Sequence, residues 1–119
     1  MSQSYSDLID DLNAAIARLR VGAPEPMRGF SMLAREALKP GALDVKTKEL
    51  IAMGIAIATR CDGCIGFHAK AAIKAGASRE EILETLSMAI YMGAGPSMIY
   101  AAEALRAFDE LSTPQEAEA

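Results

Sequence analysis

The chain of 119 residues is 51% hydrophobic and only 5% aromatic; at roughly 100 to 200 residues per domain it makes a single domain, residues 1–119, and excludes a two-domain enzyme. Ala occurs 23 times, Val twice and Trp never, which favours an all-α fold, because Ala loses no side-chain entropy in a helix whereas strands favour branched and aromatic residues. A net charge of −4 leaves no positive field to hold a polyanion, so no nucleic-acid partner is expected.

From Ser6 onward, Leu8, Ile9, Leu12, Ile16 and Leu19 recur at helical spacing, and Gly22, Pro24 and Pro26 end the pattern. A second helix is predicted from about Pro24 to Leu38, burying Met27, Phe30 and Leu33 and stopping before Pro40, which restricts the residue ahead of it. Asp44 is placed to cap a third helix, whose polar first turn leads into the apolar run Leu50–Ala58. A run apolar on nearly every face predicts burial on nearly every side.

Arg60 to Gly63 is expected to break that helix, and Cys64 to Ala75 to resume it with Phe67, His68, Ala71 and Ala72 facing inward and Gly76 as the C-terminal cap. Ser78 followed by Glu81 is a capping-box pattern that starts a helix to about Met92. Gly93, Gly95 and Pro96 then turn the chain into a last helix, roughly Ser97 to Leu111, and 113–119 is a short polar tail. Six helices in one compact bundle are expected. Leu50–Ala58 and Met88–Ala102 are apolar on more faces than a small domain can bury, so the reading includes a homo-oligomer.

The N-terminus lacks a basic region followed by an apolar stretch, and the nine residues of Leu50–Ala58 fall far below the ~20 that span a bilayer, so a cytoplasmic protein with no membrane partner is expected. In that reducing compartment two cysteines do not serve as a structural staple. Their placement at Cys61 and Cys64, beside a predicted helix start, is then the informative feature.

Free amides and the helix dipole at that point stabilise a thiolate, the reactive form of cysteine. A second thiol three residues away can resolve a sulfenic acid or a mixed disulfide, with Gly63 relaxing the backbone for ring closure. His68, four residues after Cys64, projects from the same helical face and can act on its thiol. Glu49 begins the apolar run; if the starts of the third and fourth helices pack together, its carboxylate would lie beside the thiols in low dielectric and suit proton transfer. Zinc is the alternative for this set, because Cys61, Cys64, His68 and Glu49 are all ligand types it accepts. Haem attachment is excluded, since Ile65 and not His follows Cys64.

Glu49, Cys61, Cys64 and His68 at these spacings, with Lys46-Thr47-Lys48-Glu49-Leu50-Ile51-Ala52 and the later Gly93-Ala94-Gly95-Pro96, resemble the core of the alkylhydroperoxidase D family within the carboxymuconolactone decarboxylase superfamily, over roughly residues 27–109. The resemblance implies an all-helical subunit that assembles into trimers or hexamers and reduces hydroperoxides without a cofactor or metal. It implies that Cys64 attacks the peroxide, that Cys61 resolves it, that Glu49 and His68 relay protons, and that an external dithiol regenerates the pair. One departure is visible: family members with this activity carry a second His immediately before the later cysteine, where this chain has Gly63. Decarboxylase members generally lack the cysteine pair, which makes lactone decarboxylation the weaker expectation. A helical oligomer that binds ligands without catalysis is the remaining alternative.

Overall fold

The protein, here a computed structural model, is described over residues 3–113, which hold α1 (Tyr5–Gly22), α2 (Pro24–Leu38), α3 (Val45–Ala58), α4 (Asp62–Lys74) and α5 (Arg79–Ser112). The all-α expectation holds, with five helices in place of six, because the two predicted last helices are one element interrupted at Ala94. There Ala94 takes φ 58° and ψ −142°, a conformation costly for a residue with a Cβ. Pro96, which lacks an N–H to continue the helical ladder, follows it. A Cβ on Gly93 would sit 1.9 Å from Ser97 Oγ, so only glycine lets Ser97 fold back and the helix resume after a kink. The predicted tail lies, beyond Thr113, outside the described residues.

Side-chain caps start α1, α3 and α5, the last two where the sequence indicates. Ser4 accepts from the Asp7 amide at 3.0 Å and Asp44 from the Thr47 amide at 2.8 Å, while Ser78 and Glu81 complete the capping box of α5. Gly76 closes α4 at φ 90°, the left-handed geometry glycine adopts at no steric cost. Lys46 of α3 donates to Glu81 of α5 at 2.8 Å, tying the starts of those two helices together. This contact raises the Lys46 pKa and lowers that of Glu81.

The core lies where α3, α4 and α5 meet. Met53, Ile57, Ile65 and Ile82 are fully buried there, and α1 completes it with Tyr5 and Ile9. Tyr5 lies ahead of the apolar pattern read from the sequence; its buried hydroxyl donates to Glu103 at 3.3 Å, and the Arg106 guanidinium lies 4.6 Å from the ring centroid. Burial first, then the charges of Asp62 and Glu103, push the phenol pKa up, so it stays a neutral donor.

Two burial expectations are corrected. Helix α2 buries none of its residues: Met27 is half-buried, Phe30 is 65% exposed and Leu33 63%. Its apolar positions do lie at helical spacing, but the helix stands off the core. The radius of gyration, 14.8 Å, exceeds the about 13 Å of a close-packed chain of this length. Within Leu50–Ala58, Met53, Ala56 and Ile57 are buried whereas Ile51, Ile55 and Ala58 are exposed, because α4 and α5 cover only one side of α3. Among the described residues no helix is long and apolar enough to cross a membrane.

Helix α1 rests on the glycine face of α4. A Cβ on Gly66 would lie 3.1 Å from the Tyr5 ring and 3.3 Å from Ile9 Cγ1. Alanine there gains about 1 kcal/mol of helix propensity to offset a tight contact, whereas a branched side chain overpacks the site by about 1–3 kcal/mol. Gly66→Val is therefore expected to lower the urea unfolding midpoint clearly and Gly66→Ala to leave it nearly unchanged; a valine variant as stable as wild type would contradict this packing.

Candidate functional site

Helices α3 and α4 form an antiparallel hairpin whose turn contains Arg60 at φ 57°. The left-handed residue that breaks the helix is thus Arg60 and not Gly63, which lies inside α4. The turn returns the Cys61 N–H to the Ala56 carbonyl at 3.1 Å, so the dithiol sits beside the end of α3. Cys61 is the N-cap of α4 in extended geometry, and its Sγ accepts from the Cys64 amide at 3.1 Å. The two residues are disulfide-bonded, with Cα atoms 5.2 Å apart. A cysteine in the capping position places sulfur where the helix start stabilises negative charge.

Glu49 is 4% exposed, one of few buried polar residues in this core. A buried carboxylate needs a partner, and His68 supplies it, with Nδ1 and Glu49 Oε1 2.7 Å apart. A carboxylate in its ionised form only accepts; in that pairing Nδ1 is the donor and Nε2 is the nitrogen left to take a proton. The expected proximity of the two helix starts is corrected here: in the hairpin the start of α3 meets the middle of α4, so Glu49 contacts His68 and not the thiols.

Cys64 and His68, one turn apart on α4, line a single cavity of about 220 Å³ with Ala52, Ile55, Ala56 and Thr59 of the α3 side. The cavity is apolar apart from the sulfur, the imidazole and the Thr59 hydroxyl, which donates to the Ile55 carbonyl at 3.0 Å. All four predicted site residues thus belong to one hairpin: the disulfide joins Cys61 to Cys64, the cavity joins Cys64 to His68, and a hydrogen bond joins His68 to Glu49. The lining from α3 was missed, although Ala52, Ile55 and Thr59 follow one another at helical spacing and could have been found by extending the face of Lys48 down the helix. Among the described residues, no three His, Cys, Asp or Glu side chains are grouped so as to hold a metal ion.

The absence of a side chain before Cys64 also has a physical basis. A Cβ on Gly63 would lie 2.7 Å from Leu12 Cδ1. The role expected of Gly63, relaxing the backbone for ring closure, is corrected: its backbone is helical, and what it provides is room for α1. An imidazole at this position requires Leu12 to move.

Residues 24–107 match the Carboxymuconolactone decarboxylase family. The chain is 34% identical over 112 residues to an uncharacterized protein of Cupriavidus necator, covering 94% of this chain and 99% of that one. Among solved structures, a carboxymuconolactone decarboxylase family protein from Legionella pneumophila superposes with a TM-score of 0.90 at 57% identity, over 92% of this chain and 97% of the other. A Thermotoga maritima member, for which involvement in an antioxidative response has been suggested, superposes at 0.81 with 28% identity, over 92% and 94% of the two chains. With most of its length matched and its fold shared with members of known structure, the chain belongs to the carboxymuconolactone decarboxylase family.

Proposed function

We propose that the protein is a thiol-dependent hydroperoxide reductase acting through Cys64, Cys61, His68 and Glu49. The observation that carries this reading is the cavity shared by Cys64 and His68, with each of the two residues backed by its own partner. In the reduced protein His68 Nε2 takes the Cys64 proton. The thiolate attacks the terminal oxygen of the hydroperoxide, an S–O bond forms as the O–O bond breaks, and the leaving alkoxide recovers the proton from His68 as an alcohol. Cys61 then attacks the Cys64 sulfenic acid, the S–S bond forms, and hydroxide leaves as water with a proton from the site. An external dithiol regenerates the pair by thiol–disulfide exchange, a step suited to the cytoplasm. The sum is one hydroperoxide and one dithiol converted into one alcohol, one water and one disulfide.

Glu49 orients the imidazole and stabilises the imidazolium that forms during attack. The similarity to a Thermotoga protein with a suggested antioxidative role supports the reading. So does the overlap of the matched family region with the whole hairpin.

The same reading includes self-assembly. Ile51, Ile55, Met88, Tyr91, Met92 and Ile99 are exposed on one chain, more apolar surface than a monomer of this size leaves in water. A trimer or hexamer that covers these side chains is expected in light scattering at micromolar concentration; a stable monomer would contradict it.

Two further outcomes test the chemistry. With hydroperoxide and a sulfenic-acid trap, Cys61→Ser should accumulate an adduct on Cys64 and Cys64→Ser should not accumulate one on Cys61; the reverse pattern exchanges the roles. Glu49→Gln can present an amide N–H to Nδ1 and favour the wrong tautomer, so peroxide consumption should fall by roughly 10²-fold with little change in melting temperature. Undiminished turnover in that variant would remove Glu49 from the relay.

A further inference from the structure

A second, larger groove of about 490 Å³ runs between α3 and α5, with Leu50, Ile51, Gly54 and Ile55 on one wall and Met88 and Met92 on the other. Among the described residues its lining carries no charge, so it offers a partner apolar contact and a few hydroxyls. Ile51, Ile55, Met88 and Met92 are exposed along it, and Tyr91, 78% exposed, stands beside Met92 without lining the groove. Together with Ile99 these side chains offer roughly the 800 Å² per partner that a stable interface buries. An uncharged groove and an exposed aromatic anchor on the same chain are both satisfied by a second copy, since each copy supplies what the other lacks.

Ile55 connects this surface to the dithiol. It lines the groove and also the cavity that holds Cys64 and His68. At 58% exposure it is the most open part of that cavity's apolar wall, because Ala52 is half-buried and Ala56 is buried. In a single chain the rim of the cavity at Ile55 therefore faces water. A partner seated in the groove covers Ile55 and closes that rim.

We infer that the Cys64–His68 site is completed by assembly: a second copy of the chain, led by its Tyr91, occupies the α3–α5 groove, covers Ile55 and shuts water out of the cavity. The functional consequence rests on the proposed peroxidase reading and makes assembly a condition of that chemistry. A thiolate and an imidazolium in a closed cavity keep the mutual attraction that surrounding water weakens.

Tyr91 lies on the surface of the single chain, so Tyr91→Glu spares the fold and should dissociate the assembly in light scattering, while Tyr91→Phe should leave it intact. With Cys61→Ser added, Cys64 is the one thiol of the chain, and N-phenylmaleimide should label it roughly tenfold faster in the dissociated form. With both cysteines present, dissociation should lower peroxide consumption per chain roughly tenfold. A dissociated Tyr91→Glu chain that labels and turns over like wild type would overturn the inference and leave the peroxidase reading intact. Faster labelling on dissociation, with no peroxide consumption by any form, would support the completed site and overturn the peroxidase reading. A Tyr91→Glu chain that stays assembled, or a wild-type chain that is a monomer, would overturn the inference outright. If Tyr91→Glu fails to fold, dilution of the Cys61→Ser protein through its own dissociation decides the question, and labelling that is independent of concentration overturns the inference.

Discussion

The hydrogen bond between Glu49 and His68 organises the site. A carboxylate with almost no exposure is costly in an apolar core unless it is partnered, and its removal from water is offset here by one short contact to an imidazole. The contact ties the start of α3 to the middle of α4 and holds the imidazole by Nδ1. The position of Cys64 relative to His68 follows from the helix itself, since four residues return a side chain to the same face.

The dithiol is held by a different constraint. The turn at Arg60 places Cys61 in the capping position of α4, where the Cys64 amide meets its sulfur. The disulfide, the cap and the start of the helix are therefore one local arrangement. Helix α1 lies against its other side, with Leu12 over Gly63 and Tyr5 and Ile9 over Gly66. Two glycines one turn apart on α4 let the backbones approach closely, and Leu12 takes the space that a side chain at position 63 would need.

Much of this was legible in the sequence because it depends on short-range chemistry. Ser78 and Glu81 form the predicted capping box, Asp44 caps α3, and the spacing of Cys61, Cys64 and His68 gives their common edge of α4. What required the fold was any statement about which surface covers which. Periodicity shows that Phe30 and Leu33 share a face of α2, but not that this face lies outside the core. Glu49 could be singled out, yet its partner depended on the antiparallel sense of the α3–α4 hairpin, which brings it to His68 and not to the sulfurs. The breaks at Arg60 to Gly63 and at Gly93 to Pro96 were expected, but not that Arg60 and Ala94 would carry the positive φ, because residues with a Cβ rarely adopt such angles where glycines lie close by.

The central claim is that Cys64 and Cys61 exchange two electrons with a peroxide at a site served by His68. The most direct measurement is a thiol titration of the fully reduced native protein before and after one equivalent of hydroperoxide. The account predicts that both thiols of the chain are lost together and return on addition of a dithiol. Two thiols that remain titratable after the peroxide has been added and given time to react would contradict it.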